Sequence, residues 1–391
     1  MGSVTDLPLP EAAAQQLSAA LVDHIRKEIS AAGGQIPFSR YMELCLYTPG
    51  MGYYSAGQRK FGRGGDFVTA PEISPLFGRC MARSCAAVLE QTGGNIVEFG
   101  AGSGRLAVDL LGELAALDCL PDHYLILERS ADLIQRQQSL IHSEIPQLED
   151  RVRWIDTLPA PGFCGVMVAN EVVDAMACER FCWDGEQLQQ LFVAQGDRSF
   201  VPRWQAMVTG DQSSAIQDYV QTYDLSPGYE SEFNPAIDPW IRSVASCIDA
   251  GMLLVIDYGY TRREYLHPQR TRGTLQCHYR QRAHNDPFFL PGLQDITAHV
   301  DFTAIAESAV DANLTVAGYT TQAHFLLDCG LDALLADAGP SEGVDYMRQV
   351  QQAKTLILPG EMGERFQCIG LVRGIDMDIP GFRMQDMRGR L

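Results

Sequence analysis

The sequence is short of several things, and each shortage excludes a class of function. No apolar run approaches the ~20 residues of a membrane-spanning helix, so membrane insertion is not expected. The opening segment, MGSVTDLPLPEAAAQQ, has no basic stretch followed by an apolar one and is too acidic for a transit peptide. Asp6 stands where a myristoylation signal has Ser or Thr. Together these features give a cytoplasmic setting as the expectation. Positive charge is also scarce, with a formal net charge of −19. Nucleic acid is therefore not an expected partner, because phosphate binding draws on Lys and Arg patches. The 11 cysteines include no C-x-x-C pair, and Cys178 and Cys182 have no His cluster beside them. No metal site is expected, and the thiols read as reduced and mostly buried. Internal repeats and low-complexity tracts are absent.

What the sequence has is a 391-residue chain with 46% hydrophobic residues, enough for one large domain with insertions or for two domains. Its most informative stretch is NIVEFGAGSGRL, Asn95 to Leu106. Ile96, Val97 and Phe99 form a buried-strand run, the chain turns through Gly100, Gly102 and Gly104, and a helix is expected from about Leu106. A strand, a glycine turn and a helix start make a nucleotide-type binding site, because glycine lets the backbone approach a ligand closely. A dinucleotide fingerprint would need glycine at position 105, which is Arg105. The pattern is instead E-x-G-x-G-x-G, with Glu98 before the turn, and an acid there suits a ligand with positive charge. S-adenosylmethionine, with its sulfonium and ammonium groups, is such a ligand.

Strands expected at 96–99, 124–127, 152–155, 165–169 and 252–256 alternate with helices at 106–117 and 131–143, and two more strands are expected at 314–319 and 365–372. This alternation predicts an α/β fold with a Rossmann-like, doubly wound parallel sheet. Ligands in such sheets sit outside the carboxyl ends of the strands, so Glu128, Asp156, Asn170, Glu171 and Asp257 should line one crevice. Glu128, 24 positions after Gly104, suits the ribose hydroxyls, and Asp156 falls where an adenine amino group is expected. Glu171 and Asp174, in VANEVVDAM, are expected to face the crevice together where a strand turns into a helix. If the methyl acceptor is arginine, whose pKa lies above ~12, a general base is poorly matched and paired carboxylates would orient the guanidinium. His299, between Asp295 and Asp301, is a candidate to orient a substrate or to take a proton. Glu230 and Glu232 read as solvated acids. Residues 36–74 read as ordered loop and short helix, and 199–250 as an inserted loop and helix.

The segments RYMELCLYTPGMGYY, GDFVTAPEISPLFG, VEFGAGSGRL, NEVVDAM, IDYGY, GTLQC and PGLQDITAHVDF occur in the order found in the MidA family of class I S-adenosylmethionine-dependent methyltransferases, and over about residues 35–372 the chain resembles that family. The resemblance implies a seven-stranded class I methyltransferase core with inserted helical and loop segments for the substrate. It implies an N-terminal segment over residues 1–90 closing over the cofactor, and a core over 91–391 with insertions at about 199–250 and 264–300. The cofactor roles fall on Gly100, Gly102, Gly104 and Glu128, with Thr69 and Pro71 closing over the cofactor. The acceptor side falls on Asn170, Glu171, Asp174 and His299. The family includes a mitochondrial complex I assembly factor that makes symmetric dimethylarginine on a respiratory complex subunit. A protein substrate with an exposed arginine, a respiratory complex subunit among the candidates, is therefore the expected partner, and a homodimer is compatible with the sequence. Two alternatives stay open: a small-molecule methyltransferase, and a non-catalytic assembly factor that binds the cofactor.

Overall fold

The computed structural model describes residues 7–55, 69–197, 199–337 and 343–391. These divide into two compact units. The first takes described residues before position 56 together with Asp174–Ala236 and Tyr260–Asp301; the second takes 69–173, Ile237–Gly259 and Phe302–Leu391.

The second unit carries the α/β sheet. Seven of its strands are β1 (Asn95–Phe99), β2 (Tyr124–Leu127), β3 (Val152–Ile155), β4 (Phe163–Asn170), β5 (Ile248–Tyr260), β6 (Thr315–Thr321) and β7 (Phe366–Arg373). They lie in the order β6-β7-β5-β4-β1-β2-β3. Neighbours from β5 to β3 pair in parallel, whereas β7 runs antiparallel to both β5 and β6. The strand order reverses between β1 and β4, so the crevice outside their carboxyl ends is the topological switch point. Val166 to Ala169 and Met252 to Ile256 are all fully buried, as expected for strands covered on both faces. Each such aliphatic side chain contributes roughly 1.5–3 kcal/mol of burial. Helix Pro75–Thr92 packs against helix Arg105–Ala116. Its start is set by Pro75 at the first helical position and by Ser74, whose hydroxyl accepts the Leu76 amide hydrogen at 3.3 Å.

The first unit is built differently. Helix Ala12–Ala31 is followed by strand Gln35–Pro37 and helix Phe38–Tyr47. Strand Leu188–Gln195 pairs antiparallel with Gln35–Pro37, Glu179–Trp183 and Phe200–Ala206, and Glu179–Trp183 pairs with Tyr229–Phe233. A small sheet sets Gln276–Tyr279 between Arg282–His284 and Asp295–Thr297.

The structure redraws several sequence expectations. The short helix expected within the loop-rich stretch is the ten-residue Phe38–Tyr47; its apolar side buries Phe38, Tyr41, Met42 and Cys45, and this burial outweighs the Tyr-, Gly- and Pro-rich look of the stretch. The division falls near residue 68 rather than 90, because helix Pro75–Thr92 is buried in the apolar cluster of the sheet unit. The expected insertion at 199–250 holds strands as well as a helix, and its last helix, Ile237–Cys247, belongs to the sheet unit. Within the segment GDFVTAPEISPLFG, residues 65–68 lie outside the described residues. All 11 cysteines are free thiols, eight of them buried. Among the described residues no helix is long and apolar enough to cross a membrane.

Candidate functional site

The turn after β1 has the backbone its glycines permit. Gly100, Gly102 and Gly104 have φ of 62°, 53° and 87°, in the left-handed region that other residues occupy at a penalty of ~1–2 kcal/mol. A Cβ added to Gly100 would meet nothing within 4 Å, so the chain leaves open space there. Helix Arg105–Ala116 starts directly from Gly104, which aims its first amide hydrogens at the turn. Ser103 donates to Glu72 of the short helix Ala70–Ile73. Thr69, the cap of that helix, and Pro71 are thereby fastened to the glycine turn.

Glu128 follows β2. One of its oxygens accepts the amide hydrogens of Arg129 and Ser130 at 2.9 Å each, and the other faces the Gln137 amide at 3.4 Å. Gln137 also donates to the carbonyl of Gly102 at 3.0 Å and accepts from the Trp154 indole at 2.8 Å. One buried side chain therefore ties the glycine turn, the Glu128 carboxylate and the Trp154 ring together. Beside them lies a cleft of about 470 Å³ lined by Leu125, Glu128, Ile134, Trp154 and Asp156, among others. A carboxylate for hydroxyl groups, an indole and an acid at the rim, and a turn without side chains fit a nucleoside-bearing ligand. Sequence reasoning missed Gln137 and Trp154. Gln137 carried one weak signal, a polar residue nine positions after Glu128 on the next helix; Trp154 carried none, since an aromatic in a strand reads as core.

Glu98 departs from its expected part. It is buried within the sheet, with its carboxylate accepting from Tyr124 at 2.8 Å. Burial pushes its pKa up to about 7, opposed by the Tyr124 hydrogen bond and reinforced by the charge of Glu128. It is placed as a brace beneath the turn.

The turn after β4 is different in kind. Glu171 has φ of 53° although it is not glycine. The Ile256 carbonyl holds its amide hydrogen at 2.9 Å, and Asp257, fully buried at the end of β5, accepts the Val173 amide hydrogen at 2.9 Å. Asn170 donates to Glu171 at 3.3 Å, and the Asn170 side-chain oxygen is buried with no hydrogen-bond partner. A strained residue and an orphaned acceptor at one strand end make this turn a candidate functional site. No helix follows: the chain passes through turns to strand Glu179–Trp183, so the expected strand-to-helix corner is absent.

Asp174 and His299 belong to the first unit, whereas Asn170 and Glu171 belong to the second. The Asp174 carbonyl accepts the Ala298 amide hydrogen at 3.1 Å, which brings the chain on either side of His299 alongside. The His299 ring stacks on Tyr260 with centroids 5.2 Å apart, and its amide donates to Thr274 at 3.1 Å. Of its two acidic neighbours in sequence, Asp295 accepts from Tyr54 and Asp301 pairs with Arg262 at 2.8 Å. Glu232 proves to be buried rather than solvated: it pairs with Arg180 at 3.3 Å and accepts the Thr274 amide hydrogen at 2.7 Å, while Glu230 meets the other side of Arg180 at 3.0 Å. Among the described residues no group of His, Cys, Asp and Glu could hold a metal ion.

Comparison with known proteins places the chain in a family. Residues 80–320 match the model of a family of S-adenosyl-L-methionine-dependent methyltransferases. A crystallised protein from Burkholderia thailandensis bound to S-adenosyl-homocysteine is 43% identical, covers 99% of this chain and 100% of its own, and superposes with a TM-score of 0.95. The protein arginine methyltransferase NDUFAF7 homolog, mitochondrial, of Caenorhabditis elegans is 28% identical over 90% of this chain and 85% of its own length. The NDUFAF7 protein of Danio rerio, of the same description, is 26% identical over 91% and 87%. The chain belongs to this family of S-adenosyl-L-methionine-dependent methyltransferases.

Proposed function

We propose that this methyltransferase modifies an exposed arginine of a protein and that the product is symmetric dimethylarginine. The observation that carries the reading is the turn after β4, where Glu171 is held at a left-handed φ beside the orphaned oxygen of Asn170. An arginine side chain offers N–H donors to the Asn170 oxygen and a positive charge that complements the Glu171 carboxylate. The relatives from Caenorhabditis elegans and Danio rerio bear the name protein arginine methyltransferase, which supports the same acceptor.

In this reading Glu128 would accept the ribose hydroxyls, Trp154 and Asp156 would border the adenine, and Gly100, Gly102 and Gly104 would let the backbone reach the amino-acid end, with Thr69 and Pro71 closing over it. Glu98 braces the turn from below. S-adenosylmethionine, when bound, supplies a methyl group on a positively charged sulfur. On the acceptor side, Glu171 and Asn170 would orient a guanidinium nitrogen; Asp174 and His299, in the first unit, are proposed separately as substrate-contacting residues of that unit. Orientation of this kind is where most of the rate of a displacement reaction originates. The alkylated nitrogen is strongly acidic and passes one proton to water in each transfer, so no strong base is required of the protein.

A cytoplasmic setting, a respiratory complex subunit as substrate and a homodimer belong to the same proposal; the names of the curated relatives place those proteins in mitochondria. The test is incubation of the purified chain with isotopically labelled cofactor and an extract from cells lacking its gene, followed by mass spectrometry. Label in symmetric dimethylarginine of a small set of proteins is the expected result. Label confined to lysine or to small molecules overturns it.

A further inference from the structure

The first unit carries an aromatic platform with two acids beside it. Helix Phe38–Tyr47 ends at Tyr47, and the chain folds back at once: the Tyr53 amide donates to the Cys45 carbonyl at 2.9 Å and the Tyr54 amide to the Leu46 carbonyl at 2.8 Å. Gly52 makes this reversal possible, because a Cβ there would lie 2.6 Å from the Thr48 nitrogen and 2.7 Å from the Leu46 oxygen. The reversal lays Tyr54 on Tyr47, with ring centroids 5.5 Å apart and planes tilted by 21°. Tyr53 meets Tyr54 edge-on at 5.1 Å.

Both hydroxyls are fixed. Tyr54 donates to the Asp295 carboxylate, 3.0 Å from each oxygen, and Tyr47 donates to the Ala175 carbonyl at 2.8 Å, next in sequence to Asp174. The charges of Asp174 and Asp295 both act on the two phenols and hold their pKa values above the ordinary tyrosine range, after the larger effect of burial around the hydroxyls. Both acids are only 6% exposed, whereas Tyr47 is 41% exposed. The pair thus presents an accessible aromatic surface with its polar ends anchored and two carboxylates near those ends. This arrangement suits a planar cation, which stacks on a tyrosine face within about 6 Å of the ring centroid. The same unit already uses this contact twice internally, with Arg270 over Tyr260 at 4.1 Å and Arg262 over Tyr219 at 4.7 Å.

We propose that the Tyr47–Tyr54 stack, with Asp295 and Asp174 beside it, is the docking site for an arginine side chain of the protein substrate. The proposal rests on the arginine reading of the acceptor above and adds the residues that select guanidinium over ammonium or a neutral urea. Tyr47 is then a specificity-determining residue.

The test measures binding apart from methyl transfer. Saturation-transfer NMR is run on the full chain with S-adenosyl-homocysteine and three capped peptides, Gly-Gly-Xaa-Gly-Gly, in which Xaa is arginine, lysine or citrulline. Saturation on the arginine side-chain protons is expected, with the lysine and citrulline peptides bound about tenfold more weakly. Tyr47→Leu should weaken the arginine peptide about tenfold, while Tyr47→Phe, which keeps the ring, stays within about twofold of the parent. Affinity for S-adenosyl-homocysteine serves as the folding control. Should Tyr47→Leu lose that affinity, Asp295→Asn takes its place, since it keeps an oxygen for Tyr54 while removing the charge, and weaker arginine binding is again expected. Unchanged arginine binding in a variant that keeps cofactor affinity overturns the proposal, as does equal binding of the citrulline peptide. Arginine binding that depends on Tyr47, in an enzyme that never methylates arginine, overturns the acceptor reading and leaves the platform as a recognition site for a flanking residue.

Discussion

Two turns flank the switch point of the sheet, and they solve opposite problems with the same backbone angle. After β1 the left-handed positions are all glycine, and the space beside Gly100 is empty. After β4 the left-handed position is Glu171, at φ 53°, its amide held by the Ile256 carbonyl of β5 while Asp257 of the same strand fixes Val173. The first turn gives up side chains and leaves its backbone open to approach. The second accepts a strain of roughly 1–2 kcal/mol to keep a carboxylate at that point. A site that needs backbone and a site that needs a side chain can therefore be told apart by which residue occupies the unusual φ.

The largest effect that would sharpen this comparison concerns the brace under the first turn. The Glu98 pKa is raised from 4.5 to about 7 in the folded protein, so the protonated form is favoured on folding. This contribution to stability is fully present below pH 4.5, declines from there to about pH 7 and is gone above it. Glu98→Gln keeps an oxygen for Tyr124 without the charge. It should stabilise the fold at pH 8 by up to about 3 kcal/mol relative to the parent, with the gap closing as pH falls toward 5. Chemical denaturation across that range checks it; a gap that widens on acidification would mean that Glu98 is ionised in the fold.

Next in size is the carboxylate of the second turn. Glu171→Gln leaves the backbone unchanged and should lower kcat about 100-fold, with cofactor affinity retained by calorimetry. Equal activity in the two proteins would reduce the second turn to a structural corner. Smallest is a reciprocal pair. Gly100→Ala should destabilise the protein by about 1 kcal/mol, and Glu171→Gly should stabilise it by a similar amount while abolishing turnover. If thermal melts move both variants in the same direction, the two turns do not differ as described.

The sheet unit was largely legible in the sequence because its signals are local. Leu125 to Leu127, Arg153 to Ile155 and Val166 to Ala169 are short strand runs bounded by turn residues, and the helices between them have apolar spacing, so the strands lie within a few residues of where they are found. The glycine turn and Glu128 were legible for the same reason. The first unit was not. Glu179–Trp183, reading ERFCW, shows no clean alternation, and its partners Leu188–Gln195 and Tyr229–Phe233 become visible only through pairing across long stretches of chain. Glu232 looked solvated because nothing nearby in sequence reveals Arg180, its partner from the adjacent strand. Asn170 was legible as a position, while the lack of a partner for its oxygen is a fact of three-dimensional packing.

Gln137 has a consequence for how the cleft can change over time. Its amide serves the Gly102 carbonyl, the Glu128 carboxylate and the Trp154 indole at once. The glycine turn, the Glu128 carboxylate and the Trp154 ring thus share one hub, and under the proposed reading their contacts to a bound nucleoside cannot drift independently under mutation. A lineage that altered residue 137 would have to rebuild all three contacts together, whereas the turn after β4, wired through Asp257, could diverge without disturbing them.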